Sequence, residues 1–221
     1  MSEPLTMLAA ALPLAAGWTV HSLRLRRRIE AARRDPLSGL WTREPFEERA
    51  RRSLESGHRA VVVIDLDGFK QINDTYGHAV GDAVIAATGQ RLERWSLNNG
   101  GVAARLGGDE FAAVVSVYSL ADLHWAMDQL AEELRAPVEF EDHVLWVGFS
   151  AGVVRTHRCS RAANLSRLMR CADEVMYGAK QTGGGWMAAG GNATPAYRTV
   201  NGRRDGRRGT SVHQSTERGT R

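Results

Sequence analysis

A short apolar run rich in β-branched residues, AVVVIDL at positions 60–66, constrains the fold more than any other segment of the chain. A strand that is apolar at nearly every position must be covered on both faces. The run therefore predicts a central strand in a sheet with helices on both sides. Asp65 and Asp67 lie at its end, and carboxylates there are costly unless a positive partner holds them.

The periodicity of apolar residues predicts the other elements. Strands are expected over four further segments, 102–106, 111–117, 138–140 and 144–154. Helices are expected over four segments, 42–54, 82–95, 121–134 and 165–179. Short connections between successive strands indicate antiparallel hairpins. The pattern as a whole predicts an α/β (α+β) sandwich, in which helices flank a mixed central β-sheet with antiparallel hairpins.

The amino-terminal segment is a candidate membrane anchor. Residues 5–20 carry no charge, and the stretch extends to residue 23. That length is near the lower limit of the roughly 17 to 25 residues that a spanning helix needs, and Pro13 would kink it. Six arginines follow within residues 24–34, so the positive-inside rule predicts a single-pass anchor in the cell membrane with the rest of the chain in the cytoplasm. A signal peptide or a peripheral segment is the alternative.

The net charge of +4 is concentrated at the two ends of the chain. Residues 35–191 carry 16 Lys and Arg against 21 Asp and Glu, whereas residues 192–221 carry seven Arg against two acidic residues. The basic pI is therefore poor support for nucleic-acid binding by the folded part, and no specific nucleic acid is expected as a partner.

Four segments are predicted along the chain. They are a membrane anchor at 1–23, a basic juxtamembrane helix or linker at 24–34, a folded domain at 35–187 and a disordered basic tail at 188–221. Helical periodicity already ends near Gly183, so no regular structure is expected beyond that residue.

Two acidic segments are candidates for a metal site. Asp65 and Asp67 end the apolar strand, and Asp109 and Glu110 lie in the connection between two strands. Strand ends that bear carboxylates in one small sheet can converge on Mg²⁺, which prefers oxygen ligands and substrate phosphates. Such a site suits phosphoryl or nucleotidyl transfer.

Each segment taken alone also has an ordinary interpretation. Asp67 and Lys70 can be solvated turn residues, and Gly-Gly-Asp-Glu is a good turn sequence. Asp82 can be the N-cap of a helix, and Asn73 can belong to a simple turn.

Five motifs in order resemble the GGDEF-domain diguanylate cyclases over residues 33–187. They are DPLSGLWTREPF, IDLDGFKQINDTYGHAVGD, RLGGDEF, SAGVV and ADEVMYGAKQTG. The resemblance implies a nucleotide-cyclase-like fold and an enzyme that condenses two GTP molecules into cyclic di-GMP and two pyrophosphates. It also implies a homodimer in which two domains face each other, each presenting one GTP.

The resemblance further implies a role for each matching position. Asp65, Asp109 and the Leu66 carbonyl would bind Mg²⁺. Glu110 would bind a metal or help deprotonate the ribose 3′-hydroxyl. The phosphates would be held by the backbone of Gly68, Phe69 and Lys70 and by Lys180, the guanine edge by Asn73 and Asp82, and Gly107 and Gly108 would leave room for the nucleotide.

The sequence departs from the family pattern at two places. Many members carry Arg-x-x-Asp ahead of the signature, where bound product inhibits the enzyme, but the matching positions here are Asn98 and Gly101. An arginine that helps to hold the triphosphate is replaced by Gly184. These differences predict no product inhibition by that route and weaker GTP binding.

A second class of function therefore stays open, a catalytically weak or inactive domain that acts as a GTP-binding regulatory module. A transferase that uses another purine is disfavoured because Asn73 and Asp82 are retained.

Overall fold

The computed structural model describes residues 18–19, 21–24, 33–55, 57–156 and 164–189, and the backbone of residues 199–200 and 203–204. The regular elements in chain order are α1 (Arg43–Glu55), β1 (Arg59–Asp67), α2 (Phe69–Tyr76), α3 (His78–Asn98), β2 (Val102–Gly107), β3 (Glu110–Ser116), α4 (Leu120–Arg135), β4 (Val138–Phe140), β5 (His143–Leu145), β6 (Gly148–Arg155), α5 (Leu165–Gln181), β7 (Gly185–Ala189), β8 (Thr199–Val200) and β9 (Arg203–Arg204).

A five-stranded sheet in the order β2-β3-β1-β6-β7 forms the centre of the domain. β1 pairs antiparallel with β3 and with β6, β2 pairs antiparallel with β3, and only β7 runs parallel to its neighbour β6. The predicted mixed sheet and the hairpin of β2 and β3 are therefore confirmed.

Helices cover both faces of the central strand β1, as its apolar sequence predicts. Val62 and Ile64 belong to the large core that includes side chains of α3 and α4. Val61 packs with α1, and Val63 packs with α5. Because alternate residues of a strand point to opposite faces, Asp65 lies on the α5 side of the sheet.

The region between β1 and α3 differs from the sequence prediction. Residues 69–76 form the additional helix α2, and α3 begins at His78 rather than near Asp82. Gly77, with φ 87° and ψ 164°, separates the two helices, and Val80 is buried one turn ahead of Val84. Asp82 is therefore not the N-cap of α3, and Asn73 lies in a helix rather than in a simple turn.

The second predicted hairpin is also arranged differently. The single strand expected at 144–154 is divided into β5 and β6. β5 pairs with β4 in a separate two-stranded sheet, whereas β6 begins where Gly148 pairs with Asp67 in the central sheet. Trp146 and Val147 connect the two sheets. The apolar run at 144–154 is therefore continuous in sequence, but its first part pairs with β4 and its second part pairs with β1.

An edge strand was missed at the end of the domain. The prediction of irregular structure beyond Gly183 is wrong for β7, which pairs with β6 from Ser150↔Gly185 onward. Trp186 packs against the large core. A strand of five residues that begins with the last of three glycines gives little periodic signal, and it is specified by its pairing with β6.

The chain ends fall mostly outside the described residues. Of the predicted anchor at 1–23 only positions 18–19 and 21–23 are described, and no helix in the described part of the chain is long and apolar enough to cross a bilayer. Where the predicted linker meets the domain, Arg33 and Arg34 form ion pairs with Glu48 and Glu93, each at 2.5 Å.

Candidate functional site

The acidic residues of the two predicted segments meet at one end of the central sheet. Asp65 on β1 is the direct partner of Glu110 on β3. The Leu66 N–H donates a hydrogen bond to the Asp109 carbonyl at 3.2 Å. The pairing of β1 with β3 therefore brings together all four positions for which the sequence predicted metal or catalytic roles.

The electrostatics of this cluster favour a cation. The Asp65 side chain is 15% exposed and accepts a hydrogen bond from the Lys180 Nζ at 2.5 Å. Burial raises the pKa of Asp109 above its usual range, and the neighbouring charge of Asp65 raises it further, while Lys180 opposes both only in part. The single ammonium of Lys180 therefore does not balance the two carboxylates of Asp65 and Asp109. A hard divalent cation would supply the missing positive charge.

The donor set fits Mg²⁺ as the sequence predicted it, with two carboxylates and the Leu66 carbonyl. Among the described residues no three His, Cys, Asp or Glu side chains are grouped for a metal ion, so the backbone carbonyl is an essential part of the predicted set. Lys180, whose predicted role is to bind the phosphates, contacts Asp65.

The hairpin between β2 and β3 leaves open space beside the acidic cluster. Gly107 and Gly108 adopt φ 147° and 56°, and a Cβ added to either would meet no atom within 4 Å. A positive φ is strained for residues other than glycine. The two glycines therefore permit a tight turn and leave open space at their own positions.

The Gly68 turn leads from β1 into α2. Gly68 has φ 68° and is the N-cap of α2, whose first N–H groups have no partner within the helix. Phe69 packs against the core, whereas Lys70 is exposed. Asp67 is not a solvated turn residue, because it accepts a hydrogen bond from the Ser150 Oγ at 2.8 Å.

The two residues predicted to read guanine are brought together by α2 and α3. Asn73 is half-buried, and its Oδ1 lies 1.9 Å from the point where a Cβ on Gly81 would lie. Only glycine at position 81 therefore lets the amide approach α3 at this point. Asp82, the next residue of α3, is exposed.

Sequence reasoning missed a contact that supports the hairpin. The Arg105 Nε donates to the Gly108 carbonyl at 2.9 Å, and its Nη1 donates to the Asp35 carboxylate at 3.0 and 3.2 Å. Asp35 also accepts bonds from the Ser38 N–H and hydroxyl. Arg105 thus connects the DPLSGL segment to the tip of the hairpin, although Asp35 and Arg105 are 70 positions apart in the sequence.

Arg105→Met should reduce the free energy of unfolding by about 2 kcal/mol near neutral pH, because the pair is largely buried, with side-chain exposures of 16% and 20%. Burial alone would raise the pKa of Asp35, but hydrogen bonds from Ser38 and the charge of Arg105 outweigh it and hold that pKa below its usual range. A depressed pKa contributes stability above the unfolded value, and that contribution is lost as the pH falls through the folded value.

The difference in stability between wild type and Arg105→Met should therefore shrink below about pH 4. Urea unfolding at pH 7 and pH 3 measures it, with Arg51→Met as the control because Arg51 is 60% exposed and pairs only on the surface of α1. A destabilisation of the same size at both pH values would contradict the ion-pair argument.

Comparisons with known proteins agree with this geometry. A family model described as diguanylate cyclase, GGDEF domain, matches residues 32–185. The chain is 42% identical over 173 residues to a 19.3 kDa protein of Streptomyces ambofaciens, which covers 78% of this chain and 91% of that protein. It is 37% identical over 159 residues to the diguanylate cyclase TpbB of Pseudomonas aeruginosa, covering 68% of this chain and 35% of TpbB.

Solved structures give the same result. The crystal structure of the TpbB GGDEF domain from Pseudomonas aeruginosa matches with a TM-score of 0.63 and 33% identity, over 69% of this chain and 98% of that one. The coiled coil and GGDEF domain of DgcB from Caulobacter crescentus, in complex with c-di-GMP, matches with a TM-score of 0.67 and 26% identity, over 79% and 96%. The chain spans most of these domains but little more than a third of full-length TpbB.

Proposed function

The chain belongs to the GGDEF family of diguanylate cyclase domains, and we propose that it condenses two GTP molecules into cyclic di-GMP and two pyrophosphates. The observation that carries the proposal is the convergence of Asp65 and Asp109 at one end of the sheet, next to the open space at Gly107 and Gly108. A carboxylate pair next to open space suits a metal-assisted transfer of a nucleotidyl group.

The proposed substrate contacts follow from the same geometry. Asp65, Asp109 and the Leu66 carbonyl would hold Mg²⁺, which neutralises charge on the phosphates when it is bound. The N–H groups of the Gly68 turn would bind phosphate oxygens. The Lys180 ammonium, which contacts Asp65, would bind the phosphates as well. Asn73 and Asp82 would bind the guanine edge through an amide and a carboxylate.

Each condensation forms one phosphodiester bond and breaks one phosphoanhydride bond. The 3′-hydroxyl of one GTP attacks the α-phosphate of the other, pyrophosphate leaves, and Glu110 is the group proposed to accept the hydroxyl proton. A single domain holds one GTP in this scheme, so two domains must face each other. We therefore propose a homodimer as the active form, with the reaction repeated in the opposite sense to close the ring.

Incubation of the full-length protein with GTP and Mg²⁺, followed by mass spectrometry of the products, tests this proposal. Cyclic di-GMP and pyrophosphate in a 1:2 ratio are expected with GTP, and no cyclic dinucleotide is expected with ATP. GTP binding without product would instead identify the regulatory module, the alternative motivated by Gly184. A cyclic adenine product would contradict the assigned guanine contacts.

Added cyclic di-GMP should not slow the initial rate through the inhibitory site common in the family. Asn98 and Gly101 are neutral and cannot clamp a phosphate. No larger residue fits at position 101 either, because a Cβ there would lie 2.2 Å from the Val114 carbonyl oxygen. Initial rates measured with increasing product test this prediction, and tight noncompetitive inhibition would contradict it.

Membrane attachment is a further part of the proposal, motivated by the uncharged stretch at 5–20 and the arginines that follow it. The full chain should remain with membranes after a carbonate wash, and deletion of residues 1–23 should release it. Recovery of the full chain in the soluble fraction would rule out the anchor.

A further inference from the structure

Three consecutive glycines at the start of β7 leave one edge of the site without side chains. Gly183, Gly184 and Gly185 have φ of 103°, 89° and 85°. A Cβ on Gly184 would lie 2.9 Å from the Asp67 Oδ2, and a Cβ on Gly185 would lie 3.6 Å from the Arg135 Nη2. The Asp67 carboxylate and the Arg135 guanidinium therefore lie next to the same short stretch of backbone.

Arg135 reaches this edge from the last residue of α4. Its Cζ lies 5.7 Å from the centre of the Phe149 ring. Phe149 pairs with Leu66, and the preceding residue pairs with Asp67, so the guanidinium is at the end of the sheet where β1 runs into the Gly68 turn. The end of the sheet that carries the proposed phosphate-binding turn thus also carries an arginine that belongs to none of the recognised motifs.

The guanidinium is available for an anionic ligand. Arg135 is exposed, and none of the ion pairs among the described residues includes it. By contrast, Lys180 is already paired with Asp65. A triphosphate at this edge would therefore meet Arg135 as a cation that needs to give up no acidic partner.

We propose that Arg135 binds the terminal phosphates of GTP and supplies the cation that Gly184 does not. The inference rests on the proposed function, because it assumes that GTP binds with its phosphates at the Gly68 turn. A guanidinium offers forked donors that match phosphate oxygens, and the glycine triplet removes the side chains that would separate it from them. Arg135 is thus a substrate-binding residue whose contribution increases with the number of phosphates on the nucleotide.

A purely structural role makes a different prediction. A cation in the last turn of a helix interacts favourably with the helix dipole, and Arg135 also lies over an aromatic ring. Either effect would contribute to the stability of the fold and would affect the binding of all guanine nucleotides equally. The dependence of the affinity on phosphate number therefore separates the two roles.

The test compares Arg135→Met with Arg52→Met by calorimetric titration of the full-length protein in the presence of Mg²⁺. The 3′-deoxy forms of GTP and GMP are used as the ligands, because without the 3′-hydroxyl no condensation can add its heat to that of binding. Arg52 is the matched control, because it is also an exposed arginine in the last turn of a helix. Arg135→Met should weaken GTP binding about tenfold, the loss expected for a hydrogen-bonded charge, and leave GMP binding unchanged. Arg52→Met should change neither.

Equal losses for GTP and GMP, or no loss for either, would overturn the assignment of Arg135. If wild type forms cyclic di-GMP while Arg135→Met binds GTP normally, this inference fails and the proposed function stands. If wild type binds no GTP, both fail together. Should Arg135→Met not fold, Arg135→Lys replaces it, because the charge is kept and the forked donors are lost. A GTP-specific loss then supports the inference, and unchanged GTP affinity overturns it.

Discussion

Asp109→Asn is expected to abolish cyclic di-GMP synthesis, with a loss of at least about 1,000-fold in rate, while the protein remains folded. Asparagine keeps the shape of the side chain and removes the charge that would hold the metal. Asparagine has nearly the same volume as aspartate, so the substitution should leave the packing around the half-buried residue 109 unchanged. The loss should therefore be one of chemistry and not of structure.

The same substitution should stabilise the protein when neither metal nor nucleotide is bound. Burial and the charge of Asp65 raise the pKa of Asp109, so the folded state favours the protonated form. A raised pKa contributes stability at acid pH that is lost as the pH rises through the folded value. Asparagine carries no charge at any pH, and the melting temperature of Asp109→Asn at pH 7 should accordingly be no lower than that of wild type.

Two measurements check this prediction. Mass spectrometry of the product gives the activity, and thermal unfolding with and without Mg²⁺ and GTP gives the ligand-dependent stabilisation, which should be present in wild type and largely lost in the variant. Asp142→Asn is the matched control, because Asp142 is exposed in the turn between β4 and β5. Substantial synthesis by Asp109→Asn would mean that the metal ligands are assigned wrongly.

The fold was predictable where a local pattern and the tertiary structure agree. The β-branched run of β1 could only be a covered strand, and the helical periodicity of apolar residues over 165–179 could only be a helix packed on one face. The prediction failed where pairing decides the structure, as in the division of β5 from β6 and in β7 beside β6. It also failed at Gly77, because a positive φ can end one helix and begin the next without a cap that the sequence reveals.

The candidate site was predictable to the extent that its residues lie in motifs. The resemblance named Asp65 and Asp109, and the strand pairing brings them together. Contacts made by residues outside the recognised roles were missed, such as Ser150 with Asp67, because they join segments 83 positions apart. Arg135 was not singled out for the same reason, since its position at this end of the sheet depends on how α4 packs against β6.

Gly152→Ala should destabilise the domain by about 3 kcal/mol, which corresponds to a fall of roughly 6 to 12 °C in melting temperature. A Cβ at this position would lie 2.0 Å from the Ala172 carbonyl oxygen and 2.3 Å from the Met176 N–H nitrogen. Both are backbone atoms of α5, so no change of rotamer can relieve the overlap. The helix must move away from β6 or lose its contact with it.

The movement of α5 should also reduce activity in the fraction that remains folded, because α5 carries Lys180, whose ammonium contacts Asp65.

Gly178→Ala is the matched control on the same helix, since its Cβ would meet only the Met187 sulfur at 3.7 Å. Alanine is favoured over glycine inside a helix by about 0.5 to 1 kcal/mol, so Gly178→Ala should match or exceed the stability of wild type. Thermal unfolding of the two variants measures the contrast, and a Gly152→Ala protein as stable as Gly178→Ala would mean that α5 does not pack this closely on β6.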